Sequence, residues 1–300
     1  MRVHIRHESF RLSRPGGRWE ESKAEVAIVG LGLIGGSIGL GLQDFGYQVG
    51  GYDVDPQVLE TAIERDAVNG IFDNLEEVVE ADTIFIAVPP AHVLPILREI
   101  KPFLRPETVV TDCASVKADI VEAVHAEFPE LAPRFVGGHP MAGKHVGGIQ
   151  NAAWNLFENA AWVLTPDAGT DRQAVSRINQ LVCGLGAQVY HMAPDEHDRH
   201  VALLSHVPHI LAAQLVQTSQ GLAYPQVAGG SWRDLTRVAG SDPALWTQIV
   251  MNNRAAIADS LRALADELAG FAILVEDGDK ENVEWFFNAA RESKRRQRED

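Results

Sequence analysis

The sequence predicts an α/β domain built on a mostly parallel, doubly wound sheet, followed by an all-α helical domain. Three observations carry this. From Glu25 to about Met192, short β-branched runs alternate with stretches of helical spacing, the pattern of a sheet covered on both faces. A glycine-rich turn stands at the first strand–helix junction. After Pro194 the strand signals stop and long amphipathic helical patterns take over. The division is therefore a tail over 1–23, an α/β domain over 24–193 and a helical domain over 194–300, consistent with the two domains that 300 residues suggest.

In chain order, "VAIVG", "QVGGYD", "TIFIAV", "TVVTD", "RFVGG", "AWVLT" and "AQVYH" read as strands, with helices such as "PQVLETAIERDAV" and "VKADIVEAVHAEF" between them. Beyond Pro194 come "DEHDRHVALLSHVPHILAAQLVQTSQGLA", "DPALWTQIVMNNRAAIADSLRALADELAGFAILVED" and "KENVEWFFNAARES". These apolar helices exceed what a small core needs, which hints at packing between two copies. The segment "FVGGHPMAGKHVGG" fits neither a helix nor an ordinary strand and implies a corner or a ligand held against backbone.

Bulk composition narrows the function. A net charge of −15 argues against non-specific binding to nucleic acid or an anionic membrane. An anionic substrate would then need a local arginine cluster. Two cysteines, Cys113 and Cys183, make no disulfide framework and fit a reducing cytoplasm. The most apolar stretch, "VALLSHVPHILAAQLV", carries two histidines and a proline and reads as a core helix, not a membrane span. Residues 1–23 hold six Lys/Arg and three Glu without an apolar run, so they read as a disordered tail, not a secretory signal. The basic "KRRQR" near the other end reads as a frayed terminus.

The most specific local signal is "VAIVGLGLIGGSIGLGL", which sets Gly30, Gly32 and Gly35 in G-x-G-x-x-G spacing between a strand and a helix. The first glycine allows the tight turn, the second lets a pyrophosphate approach the backbone, and the third lets helix and strand pack closely. The helix N-terminus, with Leu33 and Ile34 in its first turn, faces the phosphates. The next strand ends in "GYDVD", where Asp53 is placed to grip the adenosine ribose hydroxyls. A carboxylate there repels a 2′-phosphate, and "DVDP" offers no arginine to receive one, so the expected cofactor is NAD. Asp55, followed by Pro56, reads instead as a helix N-cap.

Ligands of an open α/β sheet lie beyond the carboxyl ends of its strands. "FIAVPP" brings Val88 and Pro89 against the cofactor, "VVTDCASVK" delivers Asp112, Ser115 and Lys117, and "FVGGHPMAG" delivers His139. An imidazole beside a nicotinamide suits removal of a hydroxyl proton while hydride leaves the adjacent carbon; the competing reading is a turn-capping histidine. His145 reads as a loop residue, Asp112 as a strand-end hydrogen-bonding group and Lys117 as a solvated residue at a helix start. In the helical domain His197, His200, His206 and His209 share one pattern. Pro208 should kink the helix beside His206 and His209, which form either a pocket wall or a hydrogen-bonded core pair. No metal site is expected, since no Cys or carboxylate stands at ligand spacing. Arg233 and Arg237, four apart, offer a fork for a carboxylate, with Arg237 the better anchor; a surface pair with Asp234 or Asp242 is the alternative.

Taken together, "GLGLIGGSIG", "TDCASVK", "GGHPMAGKHVGG", "AWVLTP", "DEHDRHVALLSHVPHILA" and "RDLTRVAGSDPALW" resemble the prephenate/arogenate dehydrogenases of tyrosine biosynthesis. The resemblance runs from about Val26 to Asn253. It implies a Rossmann-type domain plus a helical dimerisation domain, a homodimer, and NAD(P)-dependent oxidative decarboxylation of a cyclohexadienyl acid, prephenate or arogenate. It further implies that His139 polarises the ring hydroxyl and accepts its proton, and that Ser115 orients that histidine and the substrate. Arg237 then binds a substrate carboxylate, and His197, His206 and His209 line the substrate. One departure is Ala114, where a glycine often precedes the serine. The nearest rival, a β-hydroxyacid dehydrogenase, resembles this layout but uses a lysine from its helical domain, and no lysine lies between Lys144 and Lys280. A non-catalytic NAD-binding sensor is the rival from another class.

Overall fold

The computed structural model describes residues 24–144, 146–223 and 225–296; the expected N-terminal tail and His145 fall outside them. The elements of the first part are β1 (Val26–Val29), α1 (Leu33–Asp44), β2 (Val49–Tyr52), α2 (Pro56–Glu64), β3 (Gly70–Ile71), α3 (Leu75–Val78), β4 (Thr83–Ile86), α4 (Pro90–Ile100), β5 (Val109–Asp112), α5 (Ala118–Glu127), β6 (Phe135–Pro140), β7 (Ala161–Thr165), α6 (Arg172–Gly184) and β8 (Gln188–His191). They are followed by α7 (Pro194–Val201), α8 (Val207–Thr218), α9 (Gly230–Thr236), α10 (Pro243–Asn252), α11 (Arg254–Glu276) and α12 (Lys280–Arg296).

One eight-stranded sheet runs in the order β3-β2-β1-β4-β5-β6-β7-β8. Every pairing is parallel except β6 with β7, which is antiparallel. All seven strands expected from the sequence are present. The eighth, β3, is a two-residue edge strand too short to show a period. Successive strand residues point to opposite faces, and β1 makes the split visible. Ala27 and Val29 join the core under α3, α4 and α5 with Val78, Leu97 and Val124. Val26 and Ile28 join the core under α1 and α6 with Ile38, Leu42 and Ile178. The chain leaves β1 toward β2 and β3, then returns to β4 on the other side. That reversal opens a crevice at the carboxyl ends of β1 and β4, the usual ligand position in such sheets.

Contacts divide the chain into two compact units. The first reaches Asp198 and also takes in Ser241–Asn252; the second comprises Arg199–Gly240 and the chain from Asn253 onward. Within the first, α10 packs on α4.

Two local expectations change. "FVGGHP" does form a strand, β6, glycines included. The glycines are demanded by crowding: a Cβ on Gly138 would stand 2.6 Å from the Asp112 carbonyl oxygen. Of the basic "KRRQR", the first three residues continue α12 through Arg296, where Arg295 pairs with Glu292 at 3.2 Å, and the other two lie outside the described residues.

In the second unit the helical run does not continue as a plain α-helix into Pro208. Ala202–His206 forms a π-helical turn, and α8 starts at Val207 with Pro208 in its first turn. A proline ring collides with the carbonyl four residues back, and the wider turn relieves that collision. α11 buries only Ile257, and α12 buries nothing. Among the described residues no helix is long and apolar enough to cross a membrane.

Candidate active site

At the β1–α1 junction each glycine has a distinct physical reason. Gly30 has φ +91°, and a Cβ there would lie 2.6 Å from the Ala87 carbonyl oxygen and 2.7 Å from Val88 Cγ1. A Cβ on Gly35 would lie 1.9 Å from the Gly30 carbonyl oxygen. Around Gly32 the same construction meets nothing within 4 Å, so there the glycine is not needed for packing. Gly32 is the N-cap of α1, with no capping side chain and no acidic residue in the first turn. The N–H groups of that turn, at Leu33 and Ile34, carry the positive end of the helix dipole. Asp53 ties the turn to the end of β2: its carboxylate accepts from Leu31 N–H at 2.8 Å and from Asp55 N–H at 3.0 Å. It is half-exposed, and a carboxylate has lone pairs beyond two bonds. Asp55 caps α2 by accepting from Gln57 N–H at 2.9 Å, with Pro56 at the first position. Val88 packs on Gly30, and Pro89 precedes α4 as its N-cap.

The β5 and β6 ends form the second half of the site. Asp112, fully buried, accepts from Ala114 N–H at 3.0 Å and Gly138 N–H at 3.2 Å. It also forms a close ion pair with Lys117, whose side chain has no exposed surface. Lys117 is thus not the solvated residue expected from sequence. A buried charge persists only when paired and hydrogen-bonded, and this pair fixes both the loop bearing Ser115 and the strand bearing His139. Burial and then the Asp112 charge push the ionisation of the Cys113 thiol upward, which disfavours the nucleophilic thiolate.

His139, on β6, is half-buried. Its Nδ1 lies 2.8 Å from Nε2 of His197, with the rings edge-on at 70°. Nδ1 of His197 lies 2.7 Å from Oδ1 of Asp198. The Asp198 carboxylate accepts at the start of α5 from Lys117 N–H at 2.8 Å and Ala118 N–H at 2.9 Å. One expectation shifts here. His197 has no exposed surface and both ring nitrogens are engaged, so it has no polar atom left for substrate and belongs behind His139. Ser115 is half-exposed, and His197 holds the ring of His139.

The second unit places the other candidates as follows. His206 is buried, and Asn253 Nδ2 donates to its Nδ1 at 3.2 Å. His209 is half-buried, and desolvation pushes its imidazole below the usual range. Arg237 is exposed where α9 tightens into a 3-10 turn, Arg237–Gly240. Arg233 is exposed and donates to the Ala228 carbonyl at 3.3 Å. Sequence reasoning missed Asp198, Lys117 and Asn253 as site-building residues; the one available signal was the acidic residue immediately after His197. Among the described residues no group of three or more His, Cys, Asp or Glu is placed to hold a metal.

Comparison with known proteins gives the family. The family model "Prephenate dehydrogenase, nucleotide-binding domain" matches residues 38–191, and "Prephenate dehydrogenase, dimerization domain" matches residues 193–289. Prephenate dehydrogenase of Bacillus subtilis (strain 168) is 37% identical over 282 residues, covering 91% of this chain and 76% of that protein. The crystal structure of Synechocystis arogenate dehydrogenase superposes with a TM-score of 0.81 at 31% identity, covering 91% of this chain and 99% of that one. Prephenate dehydrogenase from A. aeolicus in complex with hydroxyphenyl propionate and NAD+ gives 0.82 at 28% identity, covering 94% and 100%. With both family models matching in order along a fold of this architecture, the chain belongs to the prephenate dehydrogenase family.

Proposed function

We propose that this protein is an NAD-dependent dehydrogenase that oxidatively decarboxylates prephenate or arogenate, yielding 4-hydroxyphenylpyruvate or tyrosine. The observation that carries the reading is His139, held by a buried partner at the carboxyl edge of a sheet whose first turn is built for a dinucleotide. The open space at Gly32 and the uncapped start of α1 suit a pyrophosphate. Asp53 suits the ribose hydroxyls and disfavours a 2′-phosphate. NAD supplies the hydride acceptor when bound.

His139 takes the proton of the ring hydroxyl while hydride leaves the carbon bearing it. The ring carboxylate departs as CO₂, and its bonding pair completes the aromatic ring. Aromatisation provides the driving force, so the protein has chiefly to orient the acid and deprotonate it. Ser115 is available to the substrate hydroxyl, Arg237 to a substrate carboxylate, and His206 and His209 to a pocket wall. The exposed apolar side chains of α11 and α12, including Ile273, Trp285 and Phe287 at 56%, 69% and 61%, favour a homodimer. The free Cys113 and Cys183 fit a cytoplasmic location.

The test is NADH formation with each acid in turn, with NADP run in parallel. His139→Asn should lower kcat by about 10²–10⁴-fold, the usual worth of a general base, while NAD still binds. Near-normal turnover by that variant defeats the assigned role, and silence of the wild-type protein with both acids defeats the activity.

A further inference from the structure

The chain His139–His197–Asp198 contains more information than its distances. Asp198 accepts two backbone N–H groups at the first turn of α5, and an ionised carboxylate only accepts. Its contact with His197 at 2.7 Å therefore requires that Nδ1 of His197 carry the hydrogen and donate. A neutral imidazole with its hydrogen on Nδ1 has its lone pair on Nε2. That Nε2 faces Nδ1 of His139 at 2.8 Å, so His139 must donate from Nδ1. Its own lone pair is thereby fixed on Nε2. One carboxylate thus selects the tautomer of two rings in succession, and the selected form of His139 is the one able to accept a proton at its outer nitrogen.

We propose that His197 and Asp198 are positioning residues of the reaction, a relay that keeps His139 in its basic tautomer and stabilises the charge it gains. This rests on His139 being the base. When the substrate proton arrives at Nε2 of His139, the ring becomes an imidazolium. Its Nδ1–H already points at the lone pair of His197, and His197 Nδ1–H points at the carboxylate. The positive charge is met through two hydrogen bonds by a negative one, with no group having to move. The carboxylate itself is held by backbone N–H groups of a helix N-terminus, so its position follows from the fold and not from a flexible side chain. Burial strengthens each link: His197 has no exposed surface and Asp198 is 6% exposed, so water competes little for these bonds.

Asp198→Asn tests the direction of the chain. An amide turned so that its NH₂ faces His197 forces the opposite tautomer on both rings and puts a hydrogen on the catalytic nitrogen. Loss of kcat of about 10²–10⁴-fold is expected, as for other bases left in the wrong tautomer, with KM for the acid within about threefold and NAD affinity kept. His197→Gly removes the middle ring and leaves a space of imidazole shape. It should lose kcat similarly and regain at least about tenfold when free imidazole is added to the assay. A merely structural role gives neither a loss confined to kcat nor imidazole rescue. His139→Asn is run alongside. If it is inactive while Asp198→Asn and His197→Gly keep kcat within about threefold of wild type, the relay is wrong and the base assignment stands. If His139→Asn is itself active, the base assignment has failed. Global unfolding of Asp198→Asn would shift the decision to imidazole rescue of His197→Gly, where absence of rescue overturns the relay.

Discussion

Replacing Gly32 and Gly35 separately by alanine should divide the glycine turn into a folding part and a binding part. In Gly35→Ala the new methyl lies 1.9 Å from the Gly30 carbonyl oxygen, roughly 1.5 Å inside an ordinary contact. The obstructing atom is backbone. Its residue is held by the 2.8 Å bond from Gly30 N–H to the Tyr52 carbonyl and by a positive φ. Neither side can yield cheaply, so the cost belongs at or above the top of the ~1–3 kcal/mol overpacking range. At about 2–4 °C per kcal/mol for a domain of this size, the melting transition of the first unit should fall by about 6–12 °C. In Gly32→Ala the methyl enters open space, and only the slightly poorer N-cap is felt, below about 1 kcal/mol. If a pyrophosphate approaches the backbone there, that same methyl stands in its path. At 1.4 kcal/mol per tenfold, a ~1.5–3 kcal/mol clash weakens NAD by about 10- to 100-fold. Circular-dichroism melting and calorimetric NAD titration of both variants measure the two effects. Wild-type NAD affinity in a well-folded Gly32→Ala protein would refute the placement of the phosphates.

Other substitutions probe the rest of the site. Lys117→Met leaves the Asp112 carboxylate buried without its counter-charge and should cost about 3–5 kcal/mol in urea unfolding; adding Asp112→Asn should restore part of it, and an unchanged midpoint for Lys117→Met would show the pair to be dispensable. Arg237→Gln should raise KM for the acid by about tenfold or more with kcat less affected, whereas an unchanged KM would transfer the anchor to Arg233. Burial lowers the His209 pKa below its unfolded value of 6.5, so the unfolded chain takes up this proton first. Stability from this site is complete above that value and falls as pH drops through it. His209→Gln should therefore weaken the acid dependence of the urea midpoint, and a slope identical to wild type would exclude the contribution.

The sequence was legible wherever one residue's chemistry sufficed. Seven strands were visible as β-branched runs, the glycine spacing located the dinucleotide turn, and Asp55 followed by Pro56 announced its own cap. Legibility failed where a role depends on what lies opposite in space. β6 was legible as "RFVGG", but not its run through His139 and Pro140, nor the reason for Gly137 and Gly138, where a carbonyl and neighbouring side chains leave no room for a Cβ. Lys117 reads as surface from its place at a helix start, since nothing in the spacing of "VVTDCASVK" shows that its side chain folds back onto Asp112. His197 could be found as a histidine but not assigned a side of the site. Its function depends on which atoms face each nitrogen, and Asp198 gains meaning only once α5 begins beside it. α10 reads as one more helix of the C-terminal set, yet its packing partner is α4.

The π-helical turn at Ala202–His206 has a consequence for chain length. A π-turn accommodates one residue more than the α-helical turn it replaces. Everything beyond it is rotated by about 100° relative to an uninterrupted α-helix. His209 and the remainder of α8 therefore face as they do because of a one-residue surplus. Straightening that turn at constant length would swing His209 to another side of the helix, whereas deleting one of its residues would remove the surplus and leave His209 facing as it does. Among relatives of this chain, a one-residue gap within that turn would mark a regular helix whose later residues keep their faces.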